Sequence, residues 1–216
     1  MQKGFSNPHL TLFPKMVGFS LIGMAIFAGV AYGFAFNKLY TELESLDTKN
    51  TKLLLRVSIT SFVLIVLLDI LVAWGLYHLF EKKNRAFTLL MAWLRLFYAG
   101  LLALAILNLS TYIHTPLEKI HLDEFEMQWS VGLILFGCHL ILLGYLLFKS
   151  DRVPKYVSIP TLFAGCCYFL RNIALLIVPN YHIYQSIVDQ ILALPMALGE
   201  LILAGGLIRS KGVQTL

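Results

Sequence analysis

Six long apolar runs, separated by short polar connections, constrain this chain more than any other feature. They cover about 14–36, 53–80, 86–113, 127–148, 156–178 and 184–208. A helix needs about 20 apolar residues to cross the hydrocarbon core of a bilayer, and uniformly apolar runs of this length exclude the alternating strands of a barrel. Only 13% of the residues are charged, against about a quarter in soluble domains. The sequence therefore predicts an all-α, polytopic six-helix bundle that forms one membrane domain over residues 1–216.

The lysines and arginines between the runs are unevenly distributed. With the N-terminus in the cytoplasm, ten of the 17 fall in cytoplasmic connections, among them Lys3, Arg152 and Lys211, and four fall outside. Short cytoplasmic connections are typically rich in Lys and Arg, so we expect both termini in the cytoplasm. The formal net charge of +5 is then explained by topology and by contact with anionic membrane lipids. No nucleic-acid partner is predicted.

Four ionisable residues fall at similar depths within four of the predicted helices. They are Asp69, Arg95, His139 and Glu200, at about 16, 14, 14 and 12 Å from the cytoplasmic ends of their helices. A charged group at the bilayer centre costs about 2.5–3.5 kcal/mol on insertion scales, so we expect these groups to meet. Asp69 and Arg95 lie on helices joined only by residues 81–85, which predicts an ion pair between them.

The rest of this layer leaves two interpretations open. Tyr98 lies one turn from Arg95 and extends its polar face. His139 is either neutral and hydrogen-bonded, or charged and paired with Glu200. The layer is either a set of structural pairs that fixes helix order, or the lining of a polar cavity for a ligand or proton.

A second, outer polar layer is predicted from residues nearer the other membrane surface. Its members are Asn108, Tyr168, Arg171, Asn172 and Asp189. Arg171 and Asp189 lie on helices joined by a short loop, so we expect them to pair.

No cofactor and no metal are predicted. The weak candidates for a metal site, His121, Asp123 and Glu124, lie in an acidic connection whose spacing matches no closed zinc motif. The three cysteines, Cys138, Cys166 and Cys167, fall inside spans, where a secreted-type disulfide framework is not expected. We interpret them as packing residues.

Several of these stretches resemble a family of bacterial six-span membrane proteins, domain of unknown function 4386. The resemblance is carried by Asp69, Leu94-Arg95-Leu96, Gly137-Cys138-His139, the segment LLGYLLFKSDRVP and Gly199-Glu200-Leu201. It implies the six-span bundle and a location in the bacterial cytoplasmic (inner) membrane. It implies no reaction.

Three classes of function follow from the polar layers. The leading hypothesis is a membrane protein that binds or moves a small anionic molecule, a lipid headgroup or a proton, with Arg95 binding the anion. The alternatives are an intramembrane enzyme that acts on a lipid or prenyl substrate, and a non-catalytic accessory subunit. Membrane lipids are the expected partners, and the oligomeric state stays open.

Overall fold

The structure is a computed structural model that describes residues 9–150 and 153–210, without the side chains of 9–11 and 182. Lys3, Arg152 and Lys211, three of the positive charges used to predict the orientation, therefore lie outside the described residues. No strand occurs in the described ranges, and the predicted all-α class is confirmed.

In the described ranges, six helices that are long and apolar enough to cross a membrane follow one another. The first, α1, runs as an α-helix over His9–Ala28, as a π-helix over Gly29–Phe36 and again as an α-helix over Asn37–Glu42. The others are α2 Thr48–Phe80, α3 Arg85–Ser110, α4 Lys119–Phe148, α5 Ser158–Ile177 and α6 His182–Arg209. The chain is thus a multi-pass membrane protein, as predicted.

Three helices begin five or more residues before their predicted apolar runs, and α1 is the first of them, since it starts at His9 instead of residue 14. Helix α2 starts five residues earlier than predicted, and α4 starts eight residues earlier, at Lys119. The early start of α4 is stabilised by a capping box, in which the side chain of His121 accepts a hydrogen bond from the backbone N–H of Glu118 at 3.1 Å. Polar first turns of this kind carry no hydropathy signal, so apolar run length alone missed them.

The helices form a closed ring in chain order. Each helix packs against the next one, and α6 returns to pack against α1. The seam between α1 and α6 is tight near the chain ends, where a Cβ on Gly18 would lie 2.8 Å from the Ala204 carbonyl oxygen. Both described chain ends therefore lie at one end of the bundle, which we call the terminal end.

The π-helical segment of α1 packs against α2. Its residues Ala31, Ala35 and Phe36 are buried, and the Ser58 hydroxyl of α2 donates to the Ala31 carbonyl at 3.3 Å. A π-helix is rare and often marks a functional site. Tyr32 belongs to this segment, and its side chain faces the ring interior.

Candidate functional site

Arg95 lies at the centre of a closed polar group on α2, α3 and α4. Its Nη2 forms an ion pair with Asp69 Oδ1 at 2.7 Å, and its Nη1 hydrogen-bonds to His139 Nε2 at 3.0 Å. All three side chains are fully buried. The predicted pair between Asp69 and Arg95 is therefore confirmed. We call Asp69, Arg95 and His139 the buried triad.

The hydrogen bonds of His139 define its tautomer. An arginine N–H only donates, so His139 Nε2 accepts from Arg95. The other ring nitrogen, Nδ1, lies 2.9 Å from the Met91 carbonyl oxygen and donates to it. His139 is therefore the neutral Nδ1–H tautomer. Of the two alternatives from the sequence, the hydrogen-bonded one is observed, and no salt bridge joins His139 to Glu200 among the described residues.

The terminal nitrogens of Arg95 are engaged by neighbouring side chains. Nη2 also lies 3.5 Å from the Met24 sulfur, and the guanidinium carbon lies 5.2 Å from the ring centre of Phe136. Asp69 Oδ2 and Arg95 Nε are buried without a hydrogen-bond partner in the described part of the chain. None of the three triad residues is among the residues that line the cavity described next.

A cavity of about 380 Å³ lies beside the triad, and all six helices contribute to its wall. This volume lies within the range of about 300–1,000 Å³ typical of small-molecule sites. The charged residues of the wall are Glu126, Arg171, Asp189 and Glu200. Most of the remaining wall is apolar or aromatic, as small-molecule sites usually are.

Glu200 is the member of the predicted central layer that faces this cavity. The Tyr168 hydroxyl donates to Glu200 Oε1 at 2.6 Å. Glu200 has no salt-bridge partner among the described residues. Tyr98, the fifth residue of that layer, also lines the cavity. The layer predicted from depth is thus divided into a closed triad and a cavity-facing part.

Arg171 binds the polar residues of the cavity wall in the part that lies away from the terminal end. Its Nε and Nη2 donate to the two oxygens of Asp189 at 2.7 and 2.8 Å, and its Nη1 donates to Asn172 at 3.0 Å. The predicted pair between Arg171 and Asp189 is confirmed. Asn172 in turn donates to the Tyr168 carbonyl at 2.7 Å, which connects this group to the partner of Glu200.

A second carboxylate, Glu126, joins the Arg171 group from α4. Its Oε1 lies 3.6 Å from Arg171 Nη2 and accepts from the Tyr32 hydroxyl at 3.2 Å and from Gln185 at 3.3 Å. The sequence interpretation missed Glu126 because it placed this residue in a connection. The signal that would have found it is the period of four from Leu122 through Glu126 to Ser130, which continues the inward face of α4.

The cavity reaches the surface of the bundle along the seam between α1 and α6. Four lining residues are also exposed on the outside, and all belong to these two helices: Ala25, Ala193, Ala197 and Leu201. Exposed apolar side chains such as Ile26 and Leu194 flank them. Because the seam is closed at Gly18, the opening lies farther along the helices, where it faces the bilayer.

The other predicted site residues lie away from the cavity. Asn108 donates to Gln128 at 2.9 Å on the exposed side of α3 and α4. His121 stacks on Tyr112 with ring centres 3.7 Å apart, and Asp123 accepts from Tyr40 at 2.7 Å.

Glu124 is exposed, and no group of three metal-ligating side chains is found within the ranges that the structure describes. Cys138, Cys166 and Cys167 are free thiols.

Comparison with known proteins shows a match to one family model and similarity to an archaeal protein. A model of the family described as domain of unknown function (DUF4386) matches residues 16–209. An uncharacterized protein of Archaeoglobus fulgidus is 34% identical over 114 residues, which cover 52% of this chain and 64% of that relative. No solved structure matches.

Proposed function

This chain belongs to the family described as domain of unknown function DUF4386, and from that premise we propose that it is a ligand-binding membrane protein whose central cavity takes up a small organic molecule. The cavity has a suitable volume, about 380 Å³, and its wall is mostly apolar with a few polar groups. Such a combination is the usual form of a small-molecule site.

The observation that carries this proposal is the position of Glu200. This carboxylate lies on the cavity wall with Tyr168 as its hydrogen-bond donor and without a basic partner in the described structure. Carboxylates inside a membrane are costly and are usually paired or functional. Since Asp69 already has Arg95 and Asp189 already has Arg171, Glu200 is the acid available to a ligand.

We assign different roles to the two parts of the predicted polar layer. The sequence suggested Arg95 as the anion-binding group, but its two terminal nitrogens are occupied by Asp69, His139 and the Met24 sulfur. The buried triad therefore holds α2, α3 and α4 together. Glu200, Tyr168 and the Arg171 group form the polar contacts of the ligand.

The ligand enters from the bilayer through the side opening between α1 and α6. Alanines line this passage on both helices, and Pro195 of α6 lies beside it. A proline within a helix removes one backbone hydrogen bond and favours bending at that point. Bending of α6 at Pro195 would widen the passage without disturbing its contact with Gly18.

Filling the cavity tests this function. Ala193→Phe places a ring in the cavity wall, whereas Leu194→Phe changes the neighbouring residue, which is exposed. Native mass spectrometry of protein purified in lipid nanodiscs should detect a bound small molecule in the original protein and in Leu194→Phe, but not in Ala193→Phe. Equal retention in both variants, or no bound molecule in any of the three proteins, would contradict the proposal.

A further inference from the structure

We infer that the ligand is an organic cation, an amine or quaternary ammonium group attached to an apolar body. This inference rests on the proposed function, because it names the chemical class of the molecule that the cavity takes up. It departs from the small anionic molecule, which was one of the three ligands that the sequence suggested beside a lipid headgroup and a proton.

The charges of the cavity wall favour a cation. Three carboxylates, of Glu126, Asp189 and Glu200, face one guanidinium, of Arg171. Asp189 occupies both Nε and Nη2 of Arg171 at 2.7 and 2.8 Å, and Glu126 lies 3.6 Å from Nη2. An incoming anion would find the guanidinium already paired with Asp189 and a second carboxylate, of Glu126, close to it.

Glu200 supplies a point at which a positive charge is stabilised. Among the described residues it accepts one hydrogen bond, from Tyr168 at 2.6 Å, and its second oxygen is left available. A charge removed from water needs an opposite charge nearby, and otherwise its burial is strongly unfavourable. A bound cation fulfils that requirement for Glu200 and is itself stabilised by it.

A second feature points to a ligand independently of the carboxylates. Ser130 lines the cavity, is 1% exposed, and its hydroxyl has no hydrogen-bond partner in the described part of the chain. Buried hydroxyl groups normally have a partner. A ligand with a polar group, or water that accompanies it, would satisfy Ser130.

The aromatic residues of the wall suit the same chemistry. Five rings line the cavity: Tyr32, Tyr98, Trp129, Phe136 and Tyr168. Aromatic faces attract ammonium groups, most strongly where water is excluded. The same rings and the aliphatic side chains between them accommodate the apolar body, which gives the ligand a way to partition into the bilayer before it enters.

The intrinsic fluorescence of Trp129 provides a direct assay. The chain has three tryptophans, and Trp74 and Trp93 are exposed on the outer surface, so Trp74→Phe with Trp93→Phe leaves Trp129 as the reporter. The probes are benzyltrimethylammonium, its neutral isostere neopentylbenzene, in which carbon replaces nitrogen, and the anion benzenesulfonate. Each is titrated into the protein in nanodiscs of neutral lipid.

The cation should change Trp129 emission at much lower concentration than either other probe. Glu200→Gln should weaken its binding about 30-fold or more, because it removes the charged partner of a buried cation. Glu200→Asp keeps the charge and should retain part of the affinity. Glu124→Gln removes the same charge from an exposed position of α4 and should leave the affinity unchanged.

Two results would overturn the inference. The first is equal or tighter binding of the neutral isostere or of benzenesulfonate in the unmodified cavity, a comparison that requires no variant at Glu200. The second is cation binding that Glu200→Gln does not weaken. In either case the cavity would still bind a small molecule and the proposed function would survive. If none of the three probes changed Trp129 emission, the proposed function and the inference of a cationic ligand would both be contradicted.

Discussion

At the scale of single residues, Arg95 is the group on which the interior of the bundle most depends. It is fully buried and contacts residues of α1, α2 and α4. Arg95→Gln leaves the Asp69 carboxylate buried without its cation, and we expect a loss of about 3–5 kcal/mol of unfolding free energy. Denaturant titration in detergent micelles measures this loss.

The control and the matched double variant separate charge from packing. Arg56→Gln removes an exposed arginine of α2 and should change stability little. Asp69→Asn combined with Arg95→Gln removes both charges, so it should be clearly more stable than Arg95→Gln alone. If the double variant were as unstable as the sum of the two single variants, the ion pair would not be the source of the effect.

A spectroscopic prediction concerns the proton on His139. Because Arg95 donates to Nε2 and Met91 accepts from Nδ1, the ring should be neutral with its proton on Nδ1 at neutral pH. Nitrogen-15 chemical shifts of labelled histidine distinguish the two tautomers and the charged form. Protonation of both ring nitrogens would contradict the arrangement of the triad.

Some of these contacts could be predicted from the sequence, and others could not. The pairs Asp69 with Arg95 and Arg171 with Asp189 were predictable, because each joins consecutive helices with short connections at matching depth. Depth alone does not give the rotation of a helix about its axis. For that reason Glu200 was grouped with His139, although it faces the cavity.

At the scale of elements, the contact between α4 and α5 depends on glycine. A Cβ on Gly137 would lie 2.7 Å from the Phe169 nitrogen and 2.8 Å from the Gly165 oxygen, both backbone atoms. Gly137→Ala should therefore force the helices apart and destabilise the protein by about 1–3 kcal/mol. Thermal unfolding in micelles measures the change.

Gly100→Ala is the control for this prediction. A Cβ on Gly100 of α3 meets nothing within 4 Å, so alanine there should stabilise by about 0.5–1 kcal/mol through its better helix propensity. The close approach of Gly137 was predictable from the glycine-rich sequence of α4. The π-helical segment of α1 was not, since no local residue pattern distinguishes it from an α-helix. Equal effects of Gly137→Ala and Gly100→Ala on stability would contradict the close contact between α4 and α5.

At the scale of the whole molecule, the six helices were predictable from hydropathy, whereas their arrangement around a cavity was not. Ring closure depends on which face of α6 meets α1, and a small-residue contact such as that of Gly18 with Ala204 leaves only a weak sequence signal. The cavity results from the separation of these helices beyond that contact. It is a property of the assembled bundle.

The orientation in the membrane is a prediction at this scale. With cytoplasmic termini, residue 84 lies on the cytoplasmic side of the membrane and residue 115 lies on the opposite side. In a protein whose three cysteines are replaced, Thr115→Cys should react with an impermeant maleimide added to intact cells, and Asn84→Cys should react only after lysis. The reverse pattern would show that the distribution of lysine and arginine misled the assignment.

The central claim is that the buried polar groups form two environments, a buried triad outside the cavity and an accessible, cation-selective cavity. Two serines of equal burial report on the claim: Ser130 lines the cavity, whereas Ser58 donates to the Ala31 carbonyl elsewhere in the core. In the cysteine-free protein, Ser130→Cys should react with a cationic methanethiosulfonate faster than with an anionic one, and Ser58→Cys should react with neither. An inert Ser130→Cys, or equal reactivity at the two positions, would contradict the account.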